Sequence, residues 1–262
     1  MSLAVLSLIG ASAVSGEPAV PAAAALAGGQ PPAIAIIIDD LGNWRSAGVR
    51  TALLPGPVAC AVLPHTPFAA LIAERAYSEG KEVMLHLPLA PIRQVAIAAG
   101  TIDIDTTRAQ LTRILTANIA SVPHIVGVNN HMGSLLTQHP GHMAWLMTEL
   151  RVRGGLFFVD SYTSDSSVAL KIATENGVPT IRRDVFLDNV PTETAIDREF
   201  RRLVELARRN GIAVGIGHPY PATLTYLEHN LPELTDEGIR LISVADSIRY
   251  RAVSVNGSVA AH

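Results

Sequence analysis

The chain has 262 residues, of which 48% are hydrophobic, with 20 Lys and Arg against 23 Asp and Glu for a formal net charge of −3. That balance, without any basic block, excludes a nucleic-acid partner, which would need a Lys/Arg stripe to replace phosphate counterions. Cys60 is the only cysteine, so neither an internal disulfide nor a cysteine-built zinc cage can form.

The elements are taken in chain order. Residues 1–32 contain no Lys or Arg, and Pro18 to Ala33 is mostly Ala, Pro and Gly. They are read as a flexible N-terminal segment. Within it Leu3 to Ile9 is a short apolar run followed by Ala11-Ser12-Ala13, which resembles the remnant of a signal peptide without its positive start. The run is too short to span a bilayer, so no transmembrane span is expected. A periplasmic or secreted location is the expectation.

From Ala33 onward short apolar runs alternate with helix-like segments that often end in glycine, the pattern of repeated βα units. Eight strands are predicted: Ile34–Ile38, Val58–Val62, Val83–His86, Ile125–Asn129, Leu156–Val159, Pro179–Arg182, Ala213–Gly217 and Arg240–Val244. Helical patterns lie at Phe68–Glu79, Thr106–Ala120, His142–Arg153 and Thr194–Asn210. Near-continuous apolar strands fit a parallel sheet buried on both faces. The expected fold is α/β, a distorted (βα)7–8 barrel over residues 33–251 with a tail at 252–262; an open doubly wound sheet is the alternative.

In such a barrel the active site lies at the C-terminal ends of the strands. Strand one runs into Asp39-Asp40-Leu41-Gly42, the third ends at His86, the fourth at Asn129-Asn130-His131-Met132-Gly133-Ser134, the fifth at Asp160 and the seventh at His218. His65 follows the second strand, and Arg182-Arg183-Asp184 the sixth. Carboxylates and imidazoles from separate strand ends thus converge on one mouth, an oxygen and nitrogen donor set suited to a divalent metal such as Zn²⁺. One Asp after a strand is often a helix cap. Two adjacent ones repel when desolvated, and holding both after Ile36-Ile37-Ile38 requires a cation or a proton to offset them.

The segments Ile37-Ile38-Asp39-Asp40-Leu41-Gly42, His86-Leu87-Pro88-Leu89-Ala90-Pro91, Gly127 to Ser134 and Ile216-Gly217-His218-Pro219 resemble, in order and spacing, the divergent polysaccharide deacetylase family. Val185-Phe186-Leu187-Asp188 is a further likeness, and the resemblance covers roughly Ala33 to Arg251. It implies a barrel related to the carbohydrate esterases that remove acetyl groups from chitin-like and peptidoglycan-like sugars. In that superfamily the first Asp of the pair is the base and the second a metal ligand, which here are Asp39 and Asp40. Two further ligands are histidines four positions apart: His86 fills the first place, but Ala90 stands in the second. His131 is the economical replacement, giving Asp40, His86 and His131 as the expected Zn²⁺ ligands. On this reading His218 protonates the leaving group and Asp160 orients it. The implied substrate is a carbohydrate. A catalytically silent barrel that binds envelope glycan or a protein partner is the alternative, and a phosphodiesterase ranks lower because only Arg182 and Arg183 offer basic surface for a phosphate.

Overall fold

A computed structural model describes residues 30–93 and 95–259; the expected N-terminal segment up to residue 29 and the last three residues of the expected tail lie outside the described residues. The first strand, β1 (Ala33–Leu41), is apolar at every position up to its two carboxylates, as a strand covered on both faces must be. It is followed by α1 (Arg45–Ala52), β2 (Ala59–Val62), α2 (Ala69–Ser78), β3 (Val83–Leu89), α3 (Arg108–Ser121), β4 (Ile125–Met132), α4 (Pro140–Arg153), β5 (Phe157–Asp160) and α5 (Ala169–Glu175). Then come β6 (Thr180–Arg182), β7 (Val185–Phe186), α6 (Glu193–Asn210), β8 (Ile212–Gly217), α7 (Pro221–Asn230), β9 (Arg240–Leu241) and α8 (Val244–Val259).

The strands form one parallel sheet in the order β6-β5-β4-β3-β2-β1-β8-β7, with β9 added beside the start of β1. Among the described residues no pairing joins β6 to β7, so the barrel is open along that seam. All strands point the same way, and their C-terminal ends share one rim. Each predicted strand coincides with an observed one; β7, two residues long, is additional. The last predicted strand is shorter than expected. Ser243 Oγ accepts from Asp246 N at 3.0 Å and caps α8, so the chain turns helical at Val244.

Alternation along β1 divides the core. Ile34, Ile36 and Ile38 pack outward with the helices, whereas Ala35 and Ile37 face inward with Met84, Phe157, Val214 and Ile216. Val244 and Ile248 of α8 join that inner cluster. Glu82, immediately before β3, accepts from Val244 N at 2.7 Å and Ala245 N at 3.0 Å, satisfying two orphan donors at the start of α8. The helix is therefore anchored at the N-terminal ends of the strands, and the opposite rim carries the polar residues. On the outside, α6 buries Ile196, Phe200, Leu203, Val204 and Ala207 along one stripe and ends at Gly211 in the left-handed region (φ +80°). Among the described residues no helix is long and apolar enough to cross a membrane.

Candidate functional site

Successive residues of a regular strand point to opposite faces, so Asp39 and Asp40 should diverge. They do not. Between Ile38 and Leu41 the register of β1 against β2 slips, three steps on β1 matching two on β2, and Asp40 takes a left-handed φ of +57°. This bulge turns both carboxylates onto one imidazole: His86 Nδ1 lies 3.6 Å from Asp39 Oδ1, and His86 Nε2 lies 3.1 Å from Asp40 Oδ1. Met132 at the end of β4 (φ +53°) and Tyr162 just after β5 (φ +49°) are also left-handed. Backbone conformations that cost free energy thus cluster on the rim that carries the polar residues.

β3 and β4 pair in register, which sets His86 beside Asn129 and Pro88 beside His131. His131 Nδ1 consequently reaches Asp40 Oδ1 at 2.9 Å and His86 Nε2 at 3.2 Å. The three donor atoms form a triangle with edges of 2.9, 3.1 and 3.2 Å. Ligands at about 2.0–2.1 Å around a tetrahedral Zn²⁺ stand about 3.3 Å apart, so the triangle has nearly the size of one tetrahedral face. Asp40 Oδ1 is buried, yet no donor meets it with hydrogen-bond geometry. A buried oxygen facing two ring nitrogens without an aligned N–H fits a divalent cation.

Electrostatics point the same way. Burial would raise Asp40, but the neighbouring imidazoles of His131 and His86 outweigh it and hold its carboxyl well below the usual range. Burial would lower His86, but Asp39 and Asp40 push it up to about 9. Asp39 is only 2% exposed, and that burial raises its pKa although His86 and the Asn129 amide act against it. A more basic carboxylate is a better proton acceptor.

On the other side of the mouth His218 follows β8, with Nε2 4.0 Å from Asp40 Oδ2. Its Nδ1 is bonded to Asp188 Oδ1 at 2.8 Å, and Asp188 Oδ2 accepts from His218 N at 2.6 Å and from Thr223 Oγ1 at 2.7 Å. Burial lowers His218, but the Asp188 bond and charge outweigh it and raise the imidazole above its ordinary value. Phe186 and Tyr220 pack against the ring, with centroids at 6.0 and 5.6 Å.

The expected orienting residue, Asp160, does not occupy that place. Its carboxylate accepts from Tyr162 N at 2.8 Å and Ser167 Oγ at 2.8 Å and so organises the turn after β5. β5 stands five places from β8 in the sheet, whereas β7 is next to β8 with Phe186 opposite Ile216, and the same register two residues on brings Asp188 to His218. Sequence reasoning gave Asp188 no role, although the Val185-Phe186-Leu187-Asp188 motif was the available signal. His65 stays outside the cluster and pairs with Asn118 Oδ1 at 2.9 Å. Ala90, in the position of the superfamily's second histidine, is buried in the apolar core. Arg183 donates to Ser161 O and Tyr162 O and stacks on Phe186 with its guanidinium carbon 3.6 Å from the ring centroid. Burial lowers its pKa to about 10, so the arginine remains charged while tying the β5 and β7 ends together.

The comparisons with known proteins agree with this architecture. A family model described as divergent polysaccharide deacetylase matches residues 36–248. The uncharacterized protein YibQ of Escherichia coli K12 is 38% identical over 202 residues, which are 76% of this chain and 63% of that protein. This chain therefore spans less than two thirds of that relative's length. Among solved structures, an uncharacterized protein of Agrobacterium tumefaciens C58 shares the fold with a TM-score of 0.80 and 24% identity over 85% of this chain and 91% of that one. The catalytic domain of a peptidoglycan N-acetylglucosamine deacetylase from Eubacterium rectale gives a TM-score of 0.52 with 14% identity over 86% and 95% of the two chains. A half-open parallel βα barrel is thus the shared fold, and the chain belongs to the divergent polysaccharide deacetylase family.

Proposed function

We propose that this protein is a metal-dependent hydrolase that removes acetyl groups from a cell-envelope polysaccharide. The observation that carries the reading is the donor triangle of Asp40, His86 and His131 set between a buried carboxylate, Asp39, and the His218–Asp188 pair. The name of the Eubacterium rectale structure supports an N-acetylated sugar as substrate. A glycan of that kind agrees with a periplasmic or secreted location.

Asp40 Oδ1, His86 Nε2 and His131 Nδ1 would hold the ion, with Zn²⁺ the best match to one carboxylate and two imidazoles. When bound, such an ion supplies Lewis acidity toward a water and an acetyl carbonyl. Asp39 takes the proton of the attacking water, whose oxygen bonds to the acetyl carbon. His218, its pKa raised by Asp188, gives its Nε2 proton to the sugar nitrogen as the C–N bond breaks, leaving acetate and a free amine. Asp188 keeps Nδ1 protonated throughout and so directs Nε2 at the mouth.

A second reading, a silent barrel that binds envelope glycan through the same mouth, is favoured by one observation: Ala90 cannot bind metal where the superfamily places a histidine. One experiment separates the two. The full chain, loaded with Zn²⁺ or Co²⁺, is incubated with N-acetylated chitooligosaccharides and peptidoglycan fragments, and released acetate is measured. Acetate from the wild type and none from Asp39→Asn at equal metal content supports the deacetylase. Glycan binding with full metal occupancy and no acetate from any substrate turns the reading to the silent barrel.

A further inference from the structure

Asn129 takes no part in the bond changes described above, yet its carboxamide stands between the base and a ligand. Nδ2 donates to Asp39 Oδ1 at 2.7 Å, while Oδ1 lies 2.9 Å from His86 Nδ1. The residue is 0% exposed, so water cannot replace either bond. Its second N–H points to Ser161 Oγ at 3.3 Å. The pairing of β3 with β4 sets it directly opposite His86.

The amide is not free to turn over. An ionised carboxylate only accepts hydrogen bonds, so the edge facing Asp39 is the NH₂. The opposite edge is then the carbonyl, which also only accepts, so the hydrogen between it and His86 belongs to His86 Nδ1. A cation that binds His86 displaces its Nε2 proton, and the imidazole then keeps its hydrogen on Nδ1 and offers a lone pair at Nε2, the atom that faces Asp40 Oδ1 and His131 Nδ1. Metal-ligating histidines characteristically donate their other ring N–H in this way, which fixes both tautomer and ring direction.

We propose that Asn129 is the positioning residue that couples the two halves of the site, holding Asp39 as an acceptor and fixing His86 as an Nε2 ligand for a divalent cation through one amide. The part of the inference concerning Asp39 rests on the deacetylase reading; the part concerning His86 does not.

Two substitutions separate the halves. Asn129→Asp keeps an acceptor toward His86 and removes the donor to Asp39, whereas Asn129→Leu keeps similar volume and removes both. The readouts are Zn²⁺ affinity by competition with a chromophoric chelator, the imidazole ¹H–¹⁵N spectrum of the Zn²⁺-loaded full chain, and kcat and KM for acetate release. In the wild type His86 should show a protonated Nδ1. Asn129→Asp should keep Zn²⁺ affinity within about threefold, while kcat falls about 100-fold and KM stays unchanged. Asn129→Leu should lose the His86 Nδ1–H signal and weaken Zn²⁺ binding by about 10- to 100-fold. An unprotonated His86 Nδ1 in the Zn²⁺-loaded wild type overturns the proposal without any variant having to fold. So does an Asn129→Leu protein that binds Zn²⁺ as tightly as the wild type, or a pair of variants that lower only the melting temperature. If the wild type releases no acetate, the deacetylase reading fails by itself, and affinity and spectrum still decide the role toward His86.

Discussion

Asp188 grips His218 twice, through the ring Nδ1 at 2.8 Å and through the backbone N–H at 2.6 Å. A carboxylate that also accepts from Thr223 Oγ1 has no spare donor to offer, so the imidazole proton is pinned to Nδ1. Asp188→Asn turns one acceptor into an NH₂ facing N–H or O–H groups. Acetate release is expected to fall by about 100-fold or more with metal content unchanged, checked by steady-state turnover and elemental analysis on one preparation. Loss of turnover together with loss of metal would overturn the separation of acid and metal site.

His131→Ala removes one corner of the donor triangle. Its side chain is 18% exposed and its ring contacts are with the other site residues, so folding should be little affected. Metal affinity should fall by more than about 100-fold, beyond the effect of losing a supporting residue around a ligand. Competition against a chelator measures this; an unchanged dissociation constant would remove His131 from the ligand set.

Gly42 follows the carboxylate pair with φ +123°, and a Cβ placed there would lie 2.0 Å from Thr66 Oγ1 and 3.3 Å from Leu63 O. Gly42→Ala therefore meets two penalties, an unfavourable backbone region and a clash. A loss of about 1–3 kcal/mol is expected, read as a lower denaturation midpoint at unchanged m-value. A midpoint equal to the wild type would show that the turn after β1 is looser than its geometry.

Cys60 sits in the middle of β2 with no solvent exposure, and burial pushes its thiol up to about 12 despite the nearby Lys81 charge. At pH 8 the folded protein holds it as a neutral, shielded thiol, which is not a nucleophile. An aromatic disulfide reagent at pH 8 should modify no thiol in the native chain and one per chain in denaturant. Rapid native labelling would mean that β2 opens locally.

The places of most strands along the chain and the identity of the rim were legible because Ile34–Ile38, Val83–His86 and Ala213–Gly217 carry unmistakable apolar runs with polar residues at or just after their ends. Which rim residues meet was less legible, because it depends on neighbour relations that no single run contains. Asp160 and Asp188 read alike as carboxylates after short apolar segments; only the placement of β7 beside β8 distinguishes them. β7 is two residues long, too short to show a period. The start of α8 was overlooked for another reason: Ser243 and Asp246 form a helix-start signal that the apolar run Arg240–Val244 masked. Asn129 was visible in its motif, but its orientation follows from the partners on each side and not from its own residue type.

The donor triangle draws on β1, β3 and β4, and the groups around it on the residues that follow β7 and β8, so no single βα unit contains the site. Asp39 and Asn129, bonded at 2.7 Å, are 90 residues apart in sequence. A contact of such separation carries a loop-closure cost that the pairing of the strands between them must offset. A fragment that ends before β4 lacks His131 and so cannot complete the triangle. Uptake of Zn²⁺ during refolding should follow, and never precede, recovery of the near-ultraviolet dichroism, which would make the metal a reporter of finished chains.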